Sequence, residues 1–121
     1  MIKNYRDLEV WQKSRILVKE IYSLSQNFPR EEQFGLTTQI RRAVISIPSN
    51  IAEGHSRQST KDYISFISMA IGSLAEVDTQ MVLAQDLNYI SNKDYAAVES
   101  NIHSLQQMLH KLRGALKAKL T

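Results

Sequence analysis

Apolar residues recur every three or four positions along four long segments of the chain, and this spacing constrains the fold more than any other feature. The third segment shows it most clearly, with Tyr63, Ile67, Ala70, Leu74, Val77, Met81 and Ala84 in one series. Steps of three and four place side chains on one face of an α-helix, whereas a half-buried strand alternates every second residue. No strand-type alternation competes with these series. The sequence therefore predicts an all-α protein.

The first two helices have simple expected ends. The first is predicted to run from Asp7 to Gln26 and to stop before Pro29, because the residue preceding a proline avoids the helical region. The second is predicted to begin at Glu31 or Leu36 and to end at Glu53, with Gly54 as its C-terminal stop.

Pro48 lies inside the apolar series of the second helix. A proline inside a helix removes one backbone hydrogen bond and bends the chain. The apolar residues nevertheless keep their phase from Val44 to Ile51, which a true break would destroy. We therefore predict a continuous helix that is bent near Val44 and Ile45.

The third and fourth helices begin with the same signal, a serine followed three residues later by an aspartate. Ser59 precedes Asp62, and Ser91 precedes Asp94. Each pair resembles a capping box with Asp in place of Glu. Asn88 is the expected stop of the third helix.

Short connections between four long helices indicate antiparallel neighbours and an up-down-up-down four-helix bundle. No internal repeat, low-complexity tract or linker divides the chain. We therefore predict a single domain over residues 1–121, a length close to the most common domain size.

The residue inventory disfavours most catalytic chemistry. The chain has no cysteine, which excludes disulfides, thiolate metal ligands and cysteine nucleophiles. His103 and His110 stand seven residues apart on one helix, about 10 Å, which is too far for one metal ion. No Glu-x-x-His pair and no glycine-rich phosphate loop occurs. We predict no catalytic residue, metal, cofactor or small-molecule substrate, although a triad assembled in space leaves no local motif.

Charge and hydropathy favour a cytoplasmic protein without a membrane role. The N-terminal residues lack the apolar run of a secretory signal, and we see no stretch of about 18 apolar residues. The formal net charge is +3 and the pI about 9.3. This mild basicity permits RNA or DNA as a partner without requiring one.

The predicted apolar face of the first two helices is wider than a bundle core needs. Two interpretations remain open, a wide core and a contact between subunits. The residues of this extra surface form the candidate subunit interface: Leu8, Trp11, Tyr22, Ile45, Pro48 and Ala52.

Basic residues are scattered over the chain and predominate after Glu99, beyond which no acidic residue occurs. Lysines near a helix C-terminus also complement the helix dipole, so this run has a purely structural explanation as well. The candidate nucleic-acid contacts are Lys13, Arg15, Arg41, Arg42, Arg57, Lys61, Lys111, Arg113, Lys117 and Lys119.

Several stretches of the chain together carry a resemblance to a known protein family. The most specific stretch is Ser46-Ile47-Pro48-Ser49-Asn50-Ile51-Ala52-Glu53-Gly54, with Gln39-Ile40-Arg41-Arg42 just before it. Further similarity lies in residues 7–13, 28–29, 34–37, 72–76 and 79–80. With these stretches the chain resembles the 23S ribosomal RNA intervening-sequence family of small bacterial proteins. The resemblance implies a four-helix bundle without known enzymatic activity.

The same resemblance carries an expectation about assembly and partners. Related accessory proteins of diversity-generating retroelements form ring-like pentamers with a basic surface and associate with nucleic acid and a reverse transcriptase. The resemblance therefore implies a homo-oligomer, with a pentamer favoured. His55, Ser56 and Ser65 depart from the pattern at positions where the family more often has aromatic, glycine or basic residues. These departures lower the positive charge and weaken the expectation of nucleic-acid binding.

Two functions follow as alternatives. The first is a non-catalytic oligomeric bundle that binds RNA or DNA through backbone phosphates. The second is a protein-interaction scaffold without a nucleic-acid role. A contiguous basic surface favours the first, and an apolar groove left uncovered favours the second.

Overall fold

The computed structural model describes residues 4–120 of the chain, and four α-helices account for most of them. The helices are α1 (Glu9–Ser25), α2 (Leu36–His55), α3 (Thr60–Asp86) and α4 (Asn92–Ala118). Single 3₁₀ turns at Tyr5–Asp7 and Arg30–Glu32 precede α1 and α2. No strand occurs among the described residues, which confirms the all-α prediction.

The helices pack as a square, as predicted for a four-helix bundle. Between residues 4 and 120, α1 packs on α2, α2 on α3, α3 on α4 and α4 on α1, while helices at diagonal corners do not pack directly. Consecutive helices are joined by short connections and run antiparallel. The largest fully buried side chains come from all four helices: Leu17, Ile21, Ile40, Val44, Ile47, Ile51, Ile67, Leu74, Met81, Ile102, Leu105 and Leu109.

Both serine caps are confirmed. The Ser59 Oγ atom accepts a hydrogen bond from the Asp62 backbone N–H at 3.0 Å, and Ser91 accepts one from the Asp94 N–H at 3.1 Å. Each bond satisfies a backbone donor that the first helical turn leaves without a partner.

Asn88 ends α3, as predicted. It adopts a φ of 63°, in the left-handed region that asparagine tolerates better than most residues. The Tyr89 N–H reaches back to the Ala84 carbonyl at 2.8 Å, and the Asn88 N–H bonds the Gln85 carbonyl at 2.9 Å. This pair of bonds is the Schellman motif, which gives partners to carbonyls at the end of a helix.

The starts of α1 and α2 lie later than the earliest predicted positions. α1 begins at Glu9 rather than Asp7, because residues 5–7 form a 3₁₀ turn whose first N–H groups are served by Asn4. α2 begins at Leu36, the later of the two predicted starts. Glu32 accepts a hydrogen bond from the Leu36 N–H at 3.1 Å and thereby caps this helix from the preceding turn.

Gly54 does not end α2, so that prediction is wrong. The helix continues through His55, and Gly54 has no positive φ. Gly54 is instead buried where α2 and α3 approach each other closely. A Cβ atom there would lie 2.7 Å from the Phe66 Cβ atom and 3.1 Å from a Tyr63 ring carbon. The glycine allows close helix packing rather than a turn.

The predicted continuity of α2 through Pro48 is confirmed. Polar side chains around the proline bond backbone carbonyls of the same helix. Ser49 donates to the Ile45 carbonyl at 3.0 Å, and the Asn50 amide donates to the Ser46 carbonyl at 2.8 Å. Bonds from a side chain to the carbonyl four residues earlier are a common accompaniment of helix bending, and here they lie next to the proline that supplies no N–H donor.

α3 is a long, apolar helix of the bundle. Over 18 residues its mean hydropathy reaches 1.2, so by length and composition it could cross a membrane. Core helices of bundles meet the same criterion, and one face of α3 supplies six buried residues to the core. Met69, Val82 and Leu83 lie outside that face and remain exposed.

Candidate nucleic-acid and subunit interfaces

The antiparallel order of the helices separates the charges along the bundle. The N-terminal halves of α1 and α3 lie at the same end as the C-terminal halves of α2 and α4. We call this the basic end; it comprises residues 4–16, 46–72 and 106–120 and holds nine Lys or Arg against four Asp or Glu. The acidic end comprises residues 17–45 and 73–105 and holds five Lys or Arg against eight Asp or Glu. The net formal charges of the described halves are therefore +5 and −3.

Eight of the ten candidate nucleic-acid contacts lie at the basic end: Lys13, Arg15, Arg57, Lys61, Lys111, Arg113, Lys117 and Lys119. The five lysines among them are exposed. Arg57 is 3.2 Å from the Glu53 carboxylate and stacks over the Phe66 ring at 4.8 Å. Arg113 is half-buried and donates to the Ser68 hydroxyl at 3.2 Å. The lysines are thus the side chains best placed to meet an external anion.

Arg41 and Arg42 lie at the acidic end, away from the other candidates. Arg41 is half-buried and ties α2 to the last turn of α1. Its guanidinium donates to the Ser25 hydroxyl at 2.9 Å and to the Tyr22 carbonyl at 3.3 Å, and it lies 4.5 Å above the Tyr22 ring. Two of its five N–H groups are thereby bonded within the protomer, so Arg41 packs α2 against α1 in addition to being a predicted nucleic-acid contact. Arg42 is exposed on a neighbouring face.

A groove between α1 and α2 brings together three residues of the candidate subunit interface, Trp11, Ile45 and Pro48. The groove has a volume of about 300 Å³, and Val18 and Ser49 complete its walls. Arg15 and Lys19 also line it, so we call it the basic-rimmed groove. Ile45 is 43% exposed there, and the Arg15 guanidinium lies 5.6 Å from the Trp11 ring centre. The extra apolar surface predicted for these helices is thus partly uncovered in the protomer.

The remaining candidate interface residues lie elsewhere. Leu8 is only 8% exposed and packs in the protomer's own core, so it offers little surface to a second subunit. It directly precedes α1, where the extended backbone turns its side chain inward. Tyr22 is half-buried beneath Arg41, and Ala52 is half-buried one turn beyond the groove.

A second groove, which sequence reasoning missed, lies between the start of α2 and the end of α3. Its volume is about 500 Å³, and it is lined by Glu32, Gly35, Leu36, Gln39, Gln80, Leu83, Asp86 and Leu87. Because of its two carboxylates we call it the acid-rimmed groove. Leu83 is 46% and Leu87 52% exposed, and Phe34, beside Gly35 in the chain, is 91% exposed. Leu83 and Leu87 lie outside the core series of α3, which was the available signal in the sequence.

Two tyrosines, Tyr89 and Tyr95, have raised pKa values because each lies beside a glutamate. The Tyr89 hydroxyl donates to Glu32 at 2.8 Å. The Leu36 N–H and the Tyr89 hydroxyl lower the pKa of Glu32, and this carboxylate in turn raises the pKa of Tyr89. Glu99, by hydrogen bonding and charge, raises the pKa of Tyr95 to about 12. Both phenols are therefore protonated at neutral pH. The Tyr89 hydroxyl joins the segment after α3 to the 3₁₀ turn before α2, whereas Tyr95 and Glu99 both lie on α4.

A metal site would need several acidic or histidine side chains close together. Within the part of the chain that the structure describes, no three or more of them lie close enough to hold a metal ion.

Comparison with protein families decides the affiliation of the chain. The family model for the 23S rRNA-intervening sequence protein matches residues 6–111, which include α1, α2, α3 and the larger part of α4. The chain belongs to the 23S rRNA-intervening sequence protein family. The resemblance inferred from the sequence motifs is thereby confirmed, and the motif around Pro48 lies in the continuous helix α2.

Solved structures share the fold of this 23S rRNA-intervening sequence protein. One is a protein with unknown function from the S23 ribosomal protein family of Bacteroides thetaiotaomicron VPI-5482. The two are 24% identical and superpose with a TM-score of 0.78 over 86% of this chain and 97% of the other. No curated protein matches. The comparisons thus establish family and fold, and they assign no enzymatic activity to the family.

Proposed function

We propose that this protein is a non-catalytic oligomeric helical bundle that binds RNA or DNA through backbone phosphates at its basic end. The observation that carries the proposal is the separation of charge, with nine cationic against four anionic side chains in the basic half of the bundle. Lysines and arginines that meet phosphates release condensed counterions, and this release drives association independently of sequence.

The cationic side chains favour contacts with phosphates over contacts with bases. Base readout needs Arg, Asn or Gln on an element that enters a groove, as in the known recognition motifs. Here Lys111 and Lys117 lie in the last turns of α4, and Lys119 directly follows this helix. Lys13 and Lys61 lie near the starts of α1 and α3. We therefore expect binding that is weak in each protomer and poorly sequence-specific.

Oligomerisation is the second part of the proposal, with a pentamer favoured by the family resemblance. The basic-rimmed groove supports it, because Trp11, Ile45 and Pro48 leave apolar surface uncovered in the protomer. A ring would repeat the basic end around its axis. Several weak phosphate contacts would then act together through effective concentration. Light scattering that shows a mass near 13.8 kDa at every micromolar concentration would contradict this part.

The test for nucleic-acid binding is a salt titration with matched charge variants. Binding of a labelled single-stranded RNA and a labelled DNA duplex is measured between about 50 and 200 mM salt, where phosphate-dominated affinity falls by orders of magnitude. The basic-end variant is Lys117→Ala/Lys119→Ala. The control variant, Arg30→Ala/Lys93→Ala, removes the same charge from exposed positions at the acidic end.

We expect the basic-end variant to bind more weakly than the wild type. The slope of log affinity against log salt concentration should become shallower by about one for each phosphate that a lysine no longer neutralises. The control variant should bind almost as the wild type does. Equal reductions of affinity in both variants would show that binding depends on the net charge of the protein and not on a surface at the basic end. No binding at the lowest salt would refute the nucleic-acid proposal.

A protein-interaction scaffold is the alternative function, and the acid-rimmed groove favours it. This groove exposes apolar side chains beside Glu32 and Asp86, where nucleic acid would be repelled. A scaffold predicts that Phe34→Ala and Leu83→Ala impair partner binding while the charge variants at the basic end do not. The salt titration therefore separates the two functions.

A further inference from the structure

Two apolar surfaces of opposite charge remain uncovered on this chain. One is the acid-rimmed groove together with Phe34, and the other is the basic-rimmed groove. We propose that the acid-rimmed groove and Phe34 of one copy dock onto the basic-rimmed groove of a second copy. This inference rests on the proposed oligomerisation and specifies which two surfaces form the contact.

The apolar parts of the two surfaces are complementary, because one presents exposed side chains and the other is a groove. Phe34 is 91% exposed and directly precedes Gly35, which lines the acid-rimmed groove. Leu83 and Leu87 in that groove are about half exposed, so the acidic surface presents apolar side chains to solvent. The basic-rimmed groove offers a concave apolar floor of Trp11, Val18, Ile45 and Pro48. An aromatic side chain that fills an apolar pocket is the usual centre of binding energy in protein interfaces.

Charge decides that the contact joins unlike surfaces. If two basic-rimmed grooves faced each other across a two-fold axis, Arg15 and Lys19 would meet the same cations of the partner. Two acid-rimmed grooves would likewise oppose Glu32 and Asp86. Like charges across an interface suppress association, whereas opposite charges favour it and set the register. Pairing an acidic with a basic rim brings two carboxylates toward two cations.

One charged side chain on each surface, Arg15 and Glu32, makes contacts within the protomer before association. The Arg15 guanidinium stacks near the Trp11 ring at 5.6 Å. Glu32 accepts hydrogen bonds from the Leu36 N–H at 3.1 Å and from the Tyr89 hydroxyl at 2.8 Å. Side chains ordered in the free protein lose less conformational entropy on binding.

A contact between unlike surfaces has a consequence for assembly. Each copy uses its acidic surface toward one neighbour and its basic surface toward another. Such heterologous contacts continue from copy to copy until a ring closes, or produce an open filament, and they do not stop at a symmetric dimer. The proposed pentamer is one closed form of this arrangement.

The test uses two variants that each remove one surface. Phe34→Ala/Leu83→Ala removes apolar side chains from the acidic surface, and Ile45→Arg fills and charges the basic-rimmed groove. Met69→Ala and Ile16→Arg are the controls, since both residues are more than half exposed and line neither groove. Circular dichroism and thermal unfolding establish that each variant is folded, and light scattering over a concentration series gives its mass.

We expect each surface variant to associate at least about thirtyfold more weakly than the wild type, which is the effect of removing a hot-spot residue. The controls should assemble as the wild type does. The decisive step is mixing the two surface variants. The intact acidic surface of Ile45→Arg can then bind the intact basic-rimmed groove of Phe34→Ala/Leu83→Ala, and the mixture should form a heterodimer of twice 13.8 kDa that cannot grow further.

A mixture that remains monomeric would overturn the proposal, because a contact between these two surfaces predicts complementation. Variants that assemble like the wild type would overturn it as well, while the oligomerisation itself would stand. A wild-type protein that is monomeric throughout would instead refute the proposed oligomer on which this inference rests.

Discussion

Gly54→Ala tests the close approach of α2 and α3. The added Cβ atom would lie 2.7 Å from the Phe66 Cβ atom, 3.1 Å from the Tyr63 Cδ1 atom and 3.4 Å from the Tyr63 carbonyl oxygen. Ordinary contacts of a Cβ atom begin near 3.4 Å. The Phe66 Cβ atom is attached to the backbone of α3, so no side-chain rotation can relieve this overlap. The two helices would have to move apart.

The expected magnitude is the balance of two effects. Alanine is favoured over glycine inside a helix by about 1 kcal/mol. Forcing an extra carbon into a well-packed interior costs about 1–3 kcal/mol. Because the overlap is with backbone-linked atoms, we take the upper part of that range and expect a net loss of about 1–2 kcal/mol. For a domain of this size the loss corresponds to a decrease in Tm of roughly 4–8 °C.

Gly72→Ala and Gly114→Ala provide matched controls in the same protein. Both glycines lie inside helices, and a Cβ atom at either meets nothing within 4 Å. Only the helix-propensity effect remains, so both variants should gain up to about 1 kcal/mol. Urea and thermal unfolding, followed by circular dichroism at one fixed protomer concentration, measure all three variants. If Gly54→Ala unfolds at or above the wild-type Tm, the argument from close packing is wrong.

Three further perturbations follow from individual contacts. Arg41→Ala should lower the free energy of unfolding by about 2 kcal/mol, because the charged hydrogen bonds and the aromatic contact of Arg41 disappear. Arg42→Ala, at an exposed position, should change it by less than about 0.5 kcal/mol. Denaturant unfolding measures both variants. Asn88→Ala should lose about 1 kcal/mol because its φ is 63°, while Asn88→Gly should match or exceed the wild type in the same assay. In the folded protein the pKa of Glu32 lies below its ordinary value of 4.5. The ionised carboxylate therefore stabilises the fold fully above about pH 4.5, and this stabilisation is lost as the pH falls through the pKa that Glu32 has in the folded protein. The stability difference between wild type and Tyr89→Phe should therefore narrow on acidification below pH 4.5, as measured by urea unfolding at a series of pH values.

Each of these expectations has a clear contrary result. Equal stability losses for Arg41→Ala and Arg42→Ala would show that the contacts of Arg41 with α1 contribute nothing. A stable Asn88→Ala would mean that the loop relaxes out of the left-handed conformation. A Tyr89→Phe variant whose difference from wild type is independent of pH would show that the phenol does not lower the pKa of Glu32.

The sequence determined the number of helices, the serine caps of α3 and α4 and the core series, since these depend on spacing along one chain. Ser59 and Ser91 act on residues three positions away, so their role is visible in the local sequence. Asn88 ends α3 for a similarly local reason, its tolerance of positive φ. The core series of α3 also needs only the helical period of 3.6 residues to be recognised.

Gly54 shows where local reasoning fails. A glycine that ends a helix and a glycine that lets two helices touch look the same in a sequence. Only the position of Phe66 on α3 decides between them. The same holds for Arg41 and Arg42, which are adjacent in the chain but about 100° apart around the helix, so that one meets α1 and the other remains exposed.

The candidate surfaces depend on tertiary structure for the same reason. The basic end gathers side chains from residues 4–16, 46–72 and 106–120, and only antiparallel packing places these segments together. The acid-rimmed groove combines the start of α2 with the end of α3, about fifty residues apart in the chain. Periodicity identifies the face that each helix buries against the core. It carries no information about which residues of different helices lie side by side, because that is decided by how the helices pack.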